Sequence, residues 1–179
     1  MPVSLETWLG YEKEYRAVQG RIASARAEGD VDALNPLHAE RHKLLARAST
    51  ALPARGPVTA WMIDALDEAS PELSERSEFA CRVIEHRRQF PRVYLGAVVR
   101  AGARFRHRGS GFIELASHAH GQELVLRAMV KAAREGRFDP DAARFLLYYV
   151  RSRRWGGEER SSRESCRALT EELRRALPR

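Results

Sequence analysis

Two cysteines, three lysines and no apolar run of membrane-spanning length set the first limits on this chain. Cys81 and Cys166 are too few and too far apart for the disulfide framework of a small secreted domain, and both read as reduced, buried small hydrophobes. Nowhere do about 18 apolar residues follow one another, which argues against a helical membrane span. The opening MPVSLETWLGYEKEY places acids in its first turns and lacks a signal peptide's apolar core, so the expected location is cytoplasmic. Sustained period-two alternation rich in Val, Ile and Thr is missing, and with it the case for strands. No glycine-rich phosphate loop, no GxSxG, no zinc-finger spacing and no aromatic RNA-recognition motif occurs. No reaction is fixed by a motif.

What remains is an all-α reading. At 179 residues with 44% apolar content, the chain suits a single helical domain over 1–179, long enough to bury a core. Its sub-lobes would be a helical hairpin over 1–53 and a basic bundle over 57–179, with breaks at Pro53–Pro57 and Gly109–Gly111. About eight helices in a compact bundle are expected. Ser4 caps the first, which runs to about Gly29 with the seam Trp8, Tyr11, Tyr15, Val18, Ile22 and Ala25 at alternating spacings of three and four. Asn35-Pro36 opens the second, Pro57 the third and Ser70-Pro71 the fourth. The first two fold back as an antiparallel hairpin. A fifth helix spans about 92–106. Residues 112–135 make one or two helices with a weak point at Gly121. Asp139-Pro140 opens a helix over 140–153, and Ser161 with Glu164 forms a capping box for the last, whose stripe is Cys166, Leu169, Leu173 and Leu177.

Charge is placed unevenly. Residues 1–80 hold 9 Lys+Arg against 13 Asp+Glu, whereas residues 81–155 hold 16 against 6. Arginine outnumbers lysine 28 to 3, which fits either a preference for the bidentate guanidinium or a GC-rich genome. Codon bias does not explain where along the chain the charge falls. Between Arg82 and Arg108 there are eight arginines and one acid, Glu85. Arg88, Arg92, Arg100, Arg104 and Arg108 form a four-residue ladder with Gly96 in the vacant rung, and Arg87 and Arg106 widen it. Tyr94, Ala97, Val98, Ala101 and Phe105 form the opposite, apolar side. Such a stripe suits phosphate, or acids from elsewhere in the fold such as Asp64, Asp67 and Glu68. A second cluster, Arg151, Arg153 and Arg154 beside Trp155 and near Tyr148 and Tyr149, resembles a cation-plus-ring surface for single strands. It also fits core tyrosines beside a helix end where positive charge is favoured.

Sites for chemistry are sparse. His38 and His42 lie one turn apart and suit zinc, but a site needs further ligands. Glu40, Glu114 and Glu123 are available acids, and residues 81–134 offer only Glu85, Glu114 and Glu123, too few for a metal-dependent nuclease. No catalytic residue and no cofactor is assigned.

In size, helicity and basic surface the chain resembles the small helical subunit of CRISPR effector ribonucleoprotein complexes. The resemblance covers the whole chain, carries no motif and assigns no individual residue. It implies a non-catalytic subunit that helps hold RNA or target strands in a larger assembly. The expected function is therefore sequence-independent binding to the backbone of RNA or single-stranded DNA, alongside other protein subunits or copies of itself. Two alternatives stand beside it. One is an interaction adaptor whose arginines meet an acidic partner; the other is a metal-dependent enzyme using His38 and His42.

Overall fold

The computed structural model describes residues 3–68, 74–87, 89–104, 109–137, 141, 146 and 160–177. It is all-α, and no strand occurs among the described residues. No described helix is long and apolar enough to cross a membrane. The chain divides into two compact units, residues 1–90 and 91–179.

The first unit begins with α1 (Leu5–Glu28), capped by the Ser4 hydroxyl, which accepts from the Thr7 N–H at 3.1 Å. Most of its seam is buried as the spacing predicts: Trp8, Tyr15, Val18, Ile22 and Ala25 lie inside, whereas Tyr11 is only half-buried and Glu12 is buried beside it. Gly29 ends the helix at φ +73°, a left-handed conformation that costs glycine little. The Asp30 N–H reaches back to the Ala25 carbonyl at 2.9 Å, and the Asp30 carboxylate accepts from the Ala33 N–H at 3.0 Å. One residue thus closes α1 and caps α2 (Val31–Ala51). This overturns the expected start at Asn35-Pro36. Pro36 lies inside α2, where its ring removes a single N–H on an exposed face. The antiparallel hairpin of α1 and α2 forms as expected.

Gly56 (φ +99°) and Pro57 open α3 (Pro57–Asp67). Ser74 caps α4 (Glu75–His86), accepting from the Ser77 N–H at 3.1 Å. The expected cap-and-proline signal at Ser70-Pro71 lies outside the described residues. Phe79, fully buried, is the hub of this unit. Its ring centroid lies 5.7 Å from Trp8, 5.4 Å from Tyr15 and 6.2 Å from Trp61. Each ring of this kind contributes roughly 1.5–3 kcal/mol through burial. The guanidinium of Arg76 caps the cluster, 4.8 Å over the Trp61 ring.

The second unit opens with a 3-10 turn, Arg92–Tyr94, then α5 (Leu95–Arg104). The expected single helix from Arg92 is therefore tightened at its start, following Pro91. α5 packs against α6 (Gly109–His120) and α7 (Gln122–Arg134). Helix α6 already includes Gly109, Ser110 and Gly111, which overturns the flexible break expected there. Phe112, Ile113 and Ala116 bury the turns that follow, and that burial offsets the entropy of ordering two glycines. The break falls instead at Gly121, φ +84°, between α6 and α7. α8 (Arg160–Ala176) packs on α7 through Cys166, Leu169 and Leu173. It already contains Ser161, so the expected capping box does not mark its start. Of the expected helix 140–153, only Asp141 and Leu146 are described; both are helical and Leu146 is buried. Cys81 and Cys166 are buried thiols outside any disulfide.

Candidate nucleic-acid interface

Charge follows the division of the chain. Residues 1–90 carry 12 Lys+Arg against 14 Asp+Glu, and residues 91–179 carry 19 against 10. In the first unit most cations meet acids or carbonyls. Arg16 pairs with Glu12 and with Glu75 at 2.8 Å, Arg21 with Glu40 at 2.5 Å, Arg76 with Glu68 at 3.2 Å and Arg82 with Glu85 at 3.0 Å.

Of the candidate ladder, Arg87 has a structural task. Its Nη1 donates to the Ser49 carbonyl at 2.9 Å and to the Leu52 carbonyl at 3.4 Å, satisfying the C-terminus of α2. Arg92 stands exposed on the 3-10 turn. Helix α5 is buried on most of its circumference: Leu95, Ala97, Val98, Val99, Ala101, Gly102 and Ala103 are all inside. Only the ridge Gly96, Arg100 and Arg104 is partly exposed. The vacant rung has a physical use. A Cβ on Gly96 would lie 3.2 Å from the Arg100 Nη1, so the absent side chain leaves room for that guanidinium to fold back over the helix. Arg104 Nε donates to the Arg100 carbonyl at 3.3 Å. Arg88, Arg106, Arg108, Arg151, Arg153 and Arg154 lie outside the described residues, as do Tyr148, Tyr149 and Trp155.

Sequence reasoning passed over the cations of α7 and α8. Arg127, Lys131 and Arg134 line one wall of a groove of about 370 Å³, with Leu169 and Glu172 of α8 opposite. Each is answered: Arg127 by Glu123 at 2.7 Å, Lys131 by Glu135 at 3.9 Å and Arg134 by Glu172 at 2.7 Å. The Glu123 carboxyl is held below its ordinary range by hydrogen bonds from Arg127 and Ser165. The i,i+4 spacing of Glu123 with Arg127 and of Lys131 with Glu135 was the available signal. On α8, Arg163 and Arg167 are exposed one turn apart, and Arg175 is exposed near its end. With Arg92, these have no acid within salt-bridge reach among the described residues.

His38 and His42 do not assemble a metal centre between them. No group of three or more His, Cys, Asp or Glu side chains suited to a metal ion exists among the described residues. His42 instead meets His86 of α4, Nε2 to Nε2 at 3.3 Å. Neither family models, curated protein sequences nor solved structures match this chain.

Proposed function

We propose that the chain is a non-catalytic helical subunit that binds the phosphate backbone of RNA or single-stranded DNA through its second unit, without reading sequence. It works within a larger ribonucleoprotein assembly of the CRISPR effector kind. The observation that carries this is the segregation of charge by unit: +9 in residues 91–179 against −2 in residues 1–90. A unit so charged destabilises itself by repulsion and gains most from a polyanion. The arginine ridge of α5 and the exposed arginines of α8 offer guanidinium groups that match phosphate oxygens.

The test is a fluorescence-anisotropy titration of the full chain against single-stranded RNA, single-stranded DNA and duplex DNA over a salt series. Log affinity should fall linearly with log salt, by about 0.7 per phosphate neutralised on single strands. Sequence changes in the probe should leave affinity almost unchanged. Absence of binding to all three probes at 50 mM salt sinks the proposal and leaves an acidic protein as the partner to seek.

A further inference from the structure

The facing histidines of α2 and α4 are used by none of the chemistry above. His42 Nε2 and His86 Nε2 are 3.3 Å apart, with ring centroids 4.5 Å apart and ring planes at 63°. On the far side of the His86 ring, Nδ1 lies 3.4 Å from the Ser49 hydroxyl oxygen. That hydroxyl already donates its proton to the Ala46 carbonyl at 3.0 Å. Ser49 Oγ is therefore left as an acceptor, and the proton of neutral His86 belongs on Nδ1. The lone pair then sits on Nε2, toward His42. A hydrogen-bond acceptor behind one ring nitrogen fixes the other as a lone-pair donor, and metal-bound histidines are commonly supported in this way.

We infer that His42 and His86 form a two-imidazole site for a zinc-class divalent ion, which clips the second helix to the fourth and leaves its remaining coordination positions to water or an outside ligand. The separation suits a tetrahedral ion. Two nitrogens each about 2.05 Å from one ion and 3.3 Å apart subtend about 107°, close to the tetrahedral angle. Adjacent corners of a square-planar copper site would lie about 2.9 Å apart. As a hydrogen bond the contact is poor: an in-line N–H···N would hold the centroids more than about 5 Å apart, and they stand at 4.5 Å. Rotation about the soft terminal torsions parts the rings by about 0.5 Å and points both lone pairs at one ion. His38, one turn before His42, does not join them in a three-ligand cluster.

Two ligands supply roughly half the binding free energy of a four-ligand structural zinc site, which places Kd on the order of 1–100 µM. The full chain, stripped with chelator and then titrated with zinc chloride at pH 7.5, tests this in two ways. In ring-proton correlation spectra, the signals of His42 and His86 should move, and the other four histidines should stay. Calorimetry should give one ion per chain, and saturating zinc should raise Tm by roughly 5 °C. His42→Gln and His86→Gln should each weaken binding at least about tenfold and abolish the Tm rise, whereas His38→Gln should not. The idea is overturned if 1 mM zinc leaves both ring signals in place, or if His38→Gln removes binding while His86→Gln keeps it. The spectra of the unsubstituted chain decide the matter even if a variant folds poorly.

Discussion

Neutralising the α5 ridge together with Arg92 on the turn before it should flatten the salt dependence of nucleic-acid binding without unfolding the protein. Arg92, Arg100 and Arg104 changed together to Gln remove three positive charges and take the second unit from +9 to +6. All three residues are at least partly exposed, so the volume and packing of the core are untouched. Glutamine keeps a polar head over Gly96, where the Arg100 guanidinium lies. If each arginine neutralises one phosphate, the slope of log affinity against log salt becomes shallower by about 2 on a single strand. Between 50 and 200 mM salt the variant then loses about 20-fold less affinity than the parent does over the same range. The control is a variant with the same change in net charge in the first unit: Lys13, Arg26 and Arg55, all exposed, changed to Gln. Anisotropy salt series on the three proteins separate a located surface from a general attraction. Equal flattening in both variants refutes the ridge as the contact. An unchanged slope in the α5 variant refutes it as well, even if the affinity falls.

Other outcomes follow from features away from the ridge. Phe79→Ala removes the hub of the aromatic cluster and should cost about 3–5 kcal/mol, read as a lower midpoint in urea melts with an intact helical signal at zero urea. Arg87→Ala should cost about 1–2 kcal/mol by leaving the Ser49 and Leu52 carbonyls short of a charged donor, and should leave the salt slope of RNA binding unchanged. His86 binds its proton less tightly when folded than at its ordinary 6.5, so the unfolded chain takes up more protons below that pH. Its contribution to stability is complete above pH 6.5 and is lost as pH falls through the lowered value. In metal-free protein, denaturant melts from pH 7.5 to 5 should show a decline that His86→Gln reduces; an identical decline in the variant would count against the assignment.

Local signals foretold most elements. The Ser4 cap, the Trp8-to-Ala25 seam and the Gly29 terminus needed only spacing and backbone preference, because α1 buries one stripe of a long amphipathic helix. Pro57 and Gly121 spoke as clearly. Asn35-Pro36 misled because the signal for a helix start is local, whereas the competing Asp30 answers two helices at once across a single residue. Gly109 to Gly111 misled in the same way: the apolar residues that follow outweigh glycine's entropy. The arginine ridge was visible because Arg100 and Arg104 are the only charged residues in α5, although the depth at which α5 lies, with Val99, Gly102 and Ala103 also inside, comes from α6 and α7. The task of Arg87 could not be read locally, since its partners lie 35 and 38 residues away. The same holds for His86, whose partner His42 is 44 positions earlier. His38 beside His42 drew attention because four-residue spacing is visible in a sequence and a tertiary contact is not.

The aromatic cluster around Phe79 also makes the chain its own spectroscope. Of three tryptophans, Trp8 and Trp61 both sit in that cluster and Trp155 belongs to residues 91–179. Replacing Trp155 by Phe leaves an emission signal that originates wholly within residues 1–90. The indole of Trp8 is fully enclosed, and its N–H has no partner among the described residues, so its emission lies toward the blue and moves red when water enters. Ellipticity, by contrast, averages over helices of both units. Recorded on one sample, the two signals coincide when the halves lose order together and separate when one outlasts the other, so the chain carries a built-in gauge of its own cooperativity.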